Sequence, residues 1–518
     1  MGEKVAIIGA GAIGLCCAKR ALEKNLEPVI FDKEDHPCGL WIPGRKVWEK
    51  MRVNGSNFLL AFIDYPWPDD SPVFPRSEEV YQYLISYINT YSLSKYIKLN
   101  TQVQKITKLA DNQWEITTKN LIKNETKTEI FKYLIISTGL NNKPYIPDIK
   151  GLEKFMGKIM HSSEYRNDDE IYRDKRVLVV GNSSSAVEIA SDLVNKAKSV
   201  TNIFTRPYLI FKKIIKIQNE NESLCNLIPV DFLFFNRDFL HKIKNDRESL
   251  KKIIFDHCSS QLGYTLNPNL KNLKFDLENE YPRFAVSDDY IDFVKSGKIN
   301  VKKARIDEFD EELIYFNDES FTQKDIVIFA TGFSLGLENF FDENILEMLK
   351  YQENFEKDQI ILYENTWHPD LPNCAFLGLA RGLYFTGAEL QAIYASRVFS
   401  GEIKLPNREV MLNEIKKAEE NRIKNEHLKL QYPYGSYVGI VDNLAKKLDM
   451  LPNFDKLKMV DSDVFRMMWL NPIIPCHFLI KENYDKALQL MKKVDRIAKR
   501  KFNSDEAYKI TPENYPNA

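Results

Sequence analysis

Two short apolar runs, each cut off by a glycine and followed by a helical pattern, constrain this chain more than any other feature. The first covers residues 5–8 and stops at Gly9-Ala-Gly11-Ala-Ile-Gly14; the second covers 177–180 and stops at Gly181-Asn-Ser183-Ser184-Ser185-Ala186. A strand that ends in such a turn and passes straight into a helix opens a dinucleotide-binding βαβ unit. In the first turn Gly9 permits the tight bend, Gly11 lets a pyrophosphate approach the backbone, and Gly14 lets helix pack on strand. The helix N–H groups and dipole then favour phosphate. A second strand over 27–31 ends at Asp32, about twenty residues on, within reach of a ribose 2′-hydroxyl. A lone glycine pattern is a weak signal. The flanking strands, helix and acid separate this one from a glycine-rich turn in an unrelated α/β protein.

In the second unit small residues replace the later glycines, and Ala186, Val187, Ile189, Ala190 and Leu193 form one apolar helix face. Its next strand, over 200–205, ends at Arg206. An acid suits a free ribose and a guanidinium suits a 2′-phosphate. FAD is therefore assigned to the first turn and NADPH to the second, the alternative for Arg206 being a surface cation at a strand end.

Two further strands close alike, Ile135-Ile-Ser-Thr138-Gly139 and Ile328-Phe-Ala-Thr331-Gly332. One precedes the second unit and the other follows it, as in a chain that leaves one domain, builds a second and re-enters the first. The expected fold is α/β with two Rossmann-like dinucleotide-binding domains. The NADPH domain (155–332) is inserted in the FAD domain (1–154 and 333–440), and a helical and looped extension (441–518) packs on the latter. Residues 208–280, rich in Lys, Asn, Leu and Phe with one glycine at 263, read as a helical insertion, either a substrate lid or a packing element. Segments 103–109, 114–118 and 129–136 alternate like an antiparallel meander.

A chain of 518 residues suffices for two or three domains. Its net charge of −1 leaves no nucleic-acid footprint and no polybasic membrane patch. The seven cysteines are scattered with no CxxC, so neither a zinc knuckle nor a dithiol pair is expected, and free thiols fit a reducing compartment. No metal site is expected. The chain enters a strand almost at once, leaving no room for a signal peptide. The most apolar late stretch, 464–480, is broken by Arg466, Asn471, Pro472 and Pro475, short of the ~20 apolar residues of a span. The expectation is a cytoplasmic protein without a membrane anchor.

With these motifs in order, the chain resembles the flavin-containing monooxygenases. The resemblance rests on GAGAIG at 9–14, CGLW at 38–41, Asn54, DYPWP at 64–68, Phe155–x–Gly157–x3–His161–x3–Tyr165, GxSxSA at 181–186, SDDYIDFVKSGKI at 287–299, ATGF at 330–333 and ELQA at 389–392. It implies that Gly9, Gly11, Gly14 and Asp32 hold FAD with Leu40 and Trp41 nearby. Asn54 would sit at the flavin's oxygen-reacting edge, as the one residue given a catalytic role. Gly181, Ser183, Ser184, Ser185 and Arg206 would hold NADPH, and Val103, Thr138, Thr331 and Gln391 join the cofactor-binding set. Three departures stand out: Cys38 replaces a usual glycine, Trp48 replaces a common tyrosine six residues before the asparagine, and the C-terminal hydrophobic anchor of vertebrate members is missing.

The implied activity is NADPH- and O2-dependent oxygenation of a nucleophilic nitrogen or sulfur in a small molecule, through a C4a-hydroperoxyflavin shielded by bound NADP+. The cofactor carries the hard chemistry, which accounts for the lack of an acid–base dyad; His161 is read as a linker residue rather than a base. A homodimer is the candidate assembly. One rival is a Baeyer–Villiger monooxygenase, which would place Trp-Pro after the linker histidine where this chain has Tyr165-Arg166. Another is an NADPH oxidase or flavin redox sensor with no organic substrate. A disulfide reductase would need a cysteine pair that the sequence lacks.

Overall fold

The computed structural model describes residues 2–217, 224–245, 268–273, 283–353, 360–380, 382–424, 436–503 and 509–516. Two five-stranded, wholly parallel sheets carry the chain. In the first, the strands run Cys374–Phe376, Tyr133–Ile136, Lys4–Ile8, Glu27–Phe31, Ile97–Lys98. In the second they run Lys158–His161, Ile326–Phe329, Arg176–Val180, Ser199–Phe204, Ile299–Lys303. The inner strands are continuous runs of Val, Ile, Leu and Phe because parallel sheets are covered on both faces. Each sheet thus places a glycine turn at the carboxyl end of a central strand, where open α/β sheets receive ligands.

Helix Ala12–Leu22 follows the first turn and lies between its sheet and helix Phe385–Phe399, so even Lys19 and Arg20 are buried. Those charges are paired. Arg20 donates to Glu389 Oε1 (2.6 and 3.2 Å), Lys19 and Arg20 both reach Asp64, and the other Glu389 oxygen accepts the Ile63 N–H at 2.5 Å. This network staples helix, helix and the 61–64 loop together.

Two expectations are refined by the structure. The segment expected as one strand over 129–136 is two: Glu125–Phe131 closes a three-stranded antiparallel sheet with Thr101–Lys108 and Trp114–Asn120, and Tyr133–Ile136 enters the first parallel sheet. The break falls at Lys132, where an edge strand with mostly exposed positions gives way to four buried residues. The 208–280 insertion carries helices Val230–Phe234 and Arg237–Asn245, but strands precede them. Leu209–Phe211 pairs with Phe284–Val286, and Ile214–Ile217 pairs with Leu224–Pro229. Residues 218–223, 246–267 and 274–280 of that insertion lie outside the described residues. Among the described residues no helix is long and apolar enough to cross a membrane, and no cluster of metal-ligating side chains occurs.

Candidate cofactor and oxygenation site

The two turns are built alike from different residues. Gly9 has φ +108° and Gly181 φ +121°, a region closed to most side chains. A Cβ at Gly9 would stand 2.7 Å from the Ser137 carbonyl oxygen, and one at Gly181 2.6 Å from that of Ala330. Ser137 and Ala330 precede Thr138 and Thr331, so each Thr-Gly segment braces the glycine turn of its own sheet. Ser137 adds a hydroxyl that donates to the Ile8 carbonyl at 3.0 Å. At Gly14 a Cβ would overlap the Gly9 carbonyl oxygen, which enforces the close helix–strand approach. Gly11 differs: its φ of −71° suits any residue, and a Cβ there would meet nothing nearer than Gly39 Cα at 4.0 Å. The space beside Gly11 is left open.

That open face has the chemistry of a phosphate cradle. The helix starting at Ala12 has no side-chain cap on its first N–H groups, and neither does the helix starting at Ser184 after its N-cap Ser183. Beside the first turn the Thr138 hydroxyl is buried with no hydrogen-bond partner among the described residues. Asp32 accepts from the Ala10 N–H (2.6 Å) and the Glu34 N–H (2.9 Å), and burial holds its carboxyl above the ordinary value in spite of both bonds. The residues therefore fit a dinucleotide at the first turn. At the second, Arg206 is half-buried and makes no hydrogen bond or ion pair among the described residues. Ser185 is exposed at the helix start, and Ser184 Oγ accepts the Val286 N–H at 3.1 Å.

The second turn is shaped by residues that no motif marks. Asn202, fully buried, donates to the carbonyls of Gly181 (2.7 Å) and Val179 (2.9 Å) and accepts from Tyr290 Oη at 2.6 Å. Asn182 Oδ1 accepts the Tyr208 N–H at 2.7 Å. These amides hold the bend that glycines hold in the first unit.

The loop bearing Asn54 touches both units. Cys38 N–H donates to the Ala10 carbonyl at 2.8 Å, and the Gly39–Trp41 turn lays half-buried Leu40 and Trp41 beside the first glycines. Cys38 itself has φ +86°, the backbone conformation for which a glycine is the default residue. Further on, Arg166 donates to the carbonyls of Gly44 and Arg45, and the Trp48 ring meets Tyr165 edge-on at 5.7 Å. Asn54 follows, half-buried, its amide without a hydrogen-bond partner among the described residues. Ser56 is held from the insertion by Asp231, and Tyr384, Phe235 and Tyr437 pack edge-on against one another near Gly55. A small, partly open apolar pocket lies between Asn57–Phe58, three residues beyond Asn54 in the chain, and Ile474–Cys476. Asn57 Oδ1 is buried there without a partner among the described residues.

The remaining residues singled out in the sequence sit one layer away. Val103 is buried in the cluster that contains Ile8 and Phe31. Thr331 Oγ1 donates to the Tyr145 carbonyl at 2.5 Å. Gln391 is fully buried; it accepts the Gly378 N–H and donates to Asn365 and Thr366, so it governs the 365–378 turn. His161 uses both nitrogens: Nδ1 accepts the Ser163 N–H at 3.2 Å and Nε2 donates to the Gly332 carbonyl at 2.8 Å. Burial holds its pKa below the ordinary histidine value. Tyr165 is buried and donates to Asp192 at 2.5 Å.

The family model described as flavin-binding monooxygenase-like matches residues 2–502. Flavin-containing monooxygenase 5 of Oryctolagus cuniculus is 30% identical over 507 residues, covering 93% of this chain and 89% of the relative. Human flavin-containing monooxygenase 1 is 28% identical, covering 92% and 89%. The fold is shared with S-allyl-L-cysteine S-oxygenase of Allium sativum (TM-score 0.60, 19% identity, 95% and 98% covered). It is shared too with cyclohexanone monooxygenase of a Rhodococcus bound to NADP+ (TM-score 0.64, 17% identity, 87% and 98% covered).

Proposed function

The chain belongs to the flavin-binding monooxygenase-like family, and from that premise we propose that it uses NADPH and bound FAD to transfer one atom of O2 to a nucleophilic nitrogen or sulfur of a small molecule. Gly9, Gly11, Gly14 and Asp32 would hold FAD at the first turn, and Gly181, Ser183, Ser185 and Arg206 would hold NADPH at the second. The observation that carries the reading is the loop 38–56, which binds the first turn at Ala10, the inter-sheet linker at Arg166 and the insertion at Asp231, and leaves the Asn54 amide without a partner among the described residues.

Reduced flavin supplies the electrons that activate O2. The side chains do the rest. Asn54 offers one acceptor and two donors at the reacting edge. Trp48 and the Phe235–Tyr384–Tyr437 cluster exclude water, which otherwise diverts an activated oxygen to peroxide. His161 fixes the Gly332 turn and has no nitrogen left for proton transfer. The apolar pocket beside Asn57 supports a substrate with an apolar portion.

The test is stoichiometric. Purified holoenzyme is given NADPH and 18O2 with a tertiary amine, a thioether or a cyclic ketone. One labelled oxygen in the N-oxide or sulfoxide per NADPH is the expected result. Labelled lactone alone would select Baeyer–Villiger chemistry, and H2O2 equal to NADPH with every acceptor would select an oxidase.

A further inference from the structure

We infer that Asp231 is a positioning residue for this reaction: carried by the insertion, its carboxylate clasps Ser56 at two points and so sets the loop that presents Asn54. Asp231 is 1% exposed and Ser56 fully buried. The Ser56 N–H donates to Asp231 Oδ1 at 3.2 Å and the Ser56 hydroxyl to Oδ2 at 2.5 Å. Fixing that N–H fixes the plane of the Gly55–Ser56 peptide, one residue from Asn54. Gly55 is otherwise the most permissive joint in the loop.

The carrier of the clasp is itself anchored. Phe232 packs edge-on against Phe58 at 6.2 Å, so the helix Val230–Phe234 grips the loop both at Ser56 and two residues beyond it. Three residues past that helix Arg237, buried, is bidentate to Asp442 (2.8 and 2.7 Å) and donates to the Met468 carbonyl. Asp231 is thus held from behind and acts forward on the loop.

No cation among the described residues neutralises it. Arg237 is committed to Asp442, Arg52 to the Phe74 carbonyl and Glu513, and the ionisable neighbour from the C-terminal segment is the Tyr515 hydroxyl, bonded to the Leu227 carbonyl. Burial pushes the Asp231 carboxyl up to about 6. Above that pH it is a carboxylate that accepts both Ser56 donors. Below it the neutral acid is a weaker acceptor for both Ser56 donors than the carboxylate, and the two-point hold weakens.

The inference rests on the proposed role of Asn54, and the test separates the two. Holoenzyme with NADPH, O2 and no added acceptor is followed for H2O2 release from pH 5 to 8, beside Ser56→Ala, Ser56→Thr, Asp231→Asn and Asn54→Ala. Hydrogen exchange over residues 53–58 is measured in the apoproteins. Wild type should release H2O2 slowly above pH 6.5 and faster below about pH 6. Ser56→Ala and Asp231→Asn should release it at least fivefold faster at pH 7.5 and lose the acid rise. Ser56→Thr should restore the slow rate, and FAD reduction by NADPH should not change. Exchange over 53–58 should quicken in the Ser56→Ala apoprotein. A slow, wild-type pH profile in Asp231→Asn beside a fast Asn54→Ala overturns the clasp. A fast Asp231→Asn beside a slow Asn54→Ala overturns the assignment of Asn54.

Discussion

Replacing Arg206 with alanine is the sharpest test of which nucleotide each turn takes. The guanidinium stands just past strand Ser199–Phe204, half-buried, with no hydrogen bond or ion pair among the described residues. Its removal therefore leaves no buried partner unsatisfied, and the apoprotein should melt within about 0.5 kcal/mol of wild type, as a surface change does. Binding is another matter. A charge-assisted hydrogen bond is worth about 1.5–3 kcal/mol, and each 1.4 kcal/mol is tenfold in affinity. Arg206→Ala should thus weaken NADPH by about 10- to 150-fold while NADH, which has no 2′-phosphate, stays within about twofold. Anaerobic reduction of bound FAD, titrated with each nucleotide, gives both constants from one preparation. Equal losses for NADPH and NADH, or a lowered melting point in the apoprotein, would refute the reasoning.

Gly11→Ala should leave the apoprotein fold intact, because φ is −71° and the new methyl meets nothing within 4 Å except Gly39 Cα; but the methyl intrudes on the open face, and overpacking of ~1–3 kcal/mol predicts FAD bound about 5- to 150-fold more weakly, read from flavin fluorescence on titration. Gly14→Ala should fail to fold, since its methyl overlaps the Gly9 carbonyl. Glu389→Ala removes the inner partner of buried Arg20 and the acceptor of the Ile63 N–H, so a loss of about 3–5 kcal/mol is expected in calorimetry, with Glu389→Gln losing less. Burial holds His161, His368 and His477 below the ordinary histidine pKa, so as pH falls through about 6.5 the unfolded chain binds protons that the folded chain refuses, and stability drops by up to ~1.4 kcal/mol per group per pH unit. Asp231, raised to about 6, has the opposite sign between pH about 4 and 6, and so do Asp32, Glu188, Asp289 and Glu389, which burial also raises. The histidine contribution is read by difference: the melting-point gap between wild type and His477→Gln should shrink as pH falls from about 7 to about 5.5, and a gap that widens would reverse the assigned direction.

What the sequence made legible follows the range of the interaction. A glycine turn is encoded within a few residues, so Gly9, Gly11, Gly14 and Gly181 could be read directly, as could Asp32 and Arg206 at the ends of the next strands. The meander over 103–136 was read one strand short because Lys132 alone marks where an edge strand becomes a buried one. Asn202, Asp231 and Ser56 were invisible for another reason. Their partners lie 21, 175 and 175 residues away, and a lone Asn, Asp or Ser carries no spacing that foretells such a pairing. Gln391 was legible as part of ELQA, but only the structure ties its amide to the Gly378 turn.

The two parallel sheets share the order of the four strands around their glycine turns and differ in the fifth, edge strand, which is Cys374–Phe376 in one and Lys158–His161 in the other. On the proposed assignment, selectivity between nucleotides comes from the strand end, Asp32 in one unit and Arg206 in the other. The first turn is braced by Ser137 behind Gly9, whereas the second has Asn182 and Asn202 beneath it besides Ala330 behind Gly181. The insertion then joins the two units. It leaves the second unit at Tyr208, whose N–H is bonded to Asn182, runs through strands Leu209–Phe211 and Ile214–Ile217, and delivers Asp231 to Ser56 beside Asn54. A single stretch of chain therefore begins at the residue assigned to the 2′-phosphate and reaches the loop assigned to the flavin edge. That connection gives the insertion a role that neither a bare lid nor a packing element would need: its first residue is bonded to Asn182 beside the second turn, and its helix Val230–Phe234 holds Ser56 in the loop beside the first.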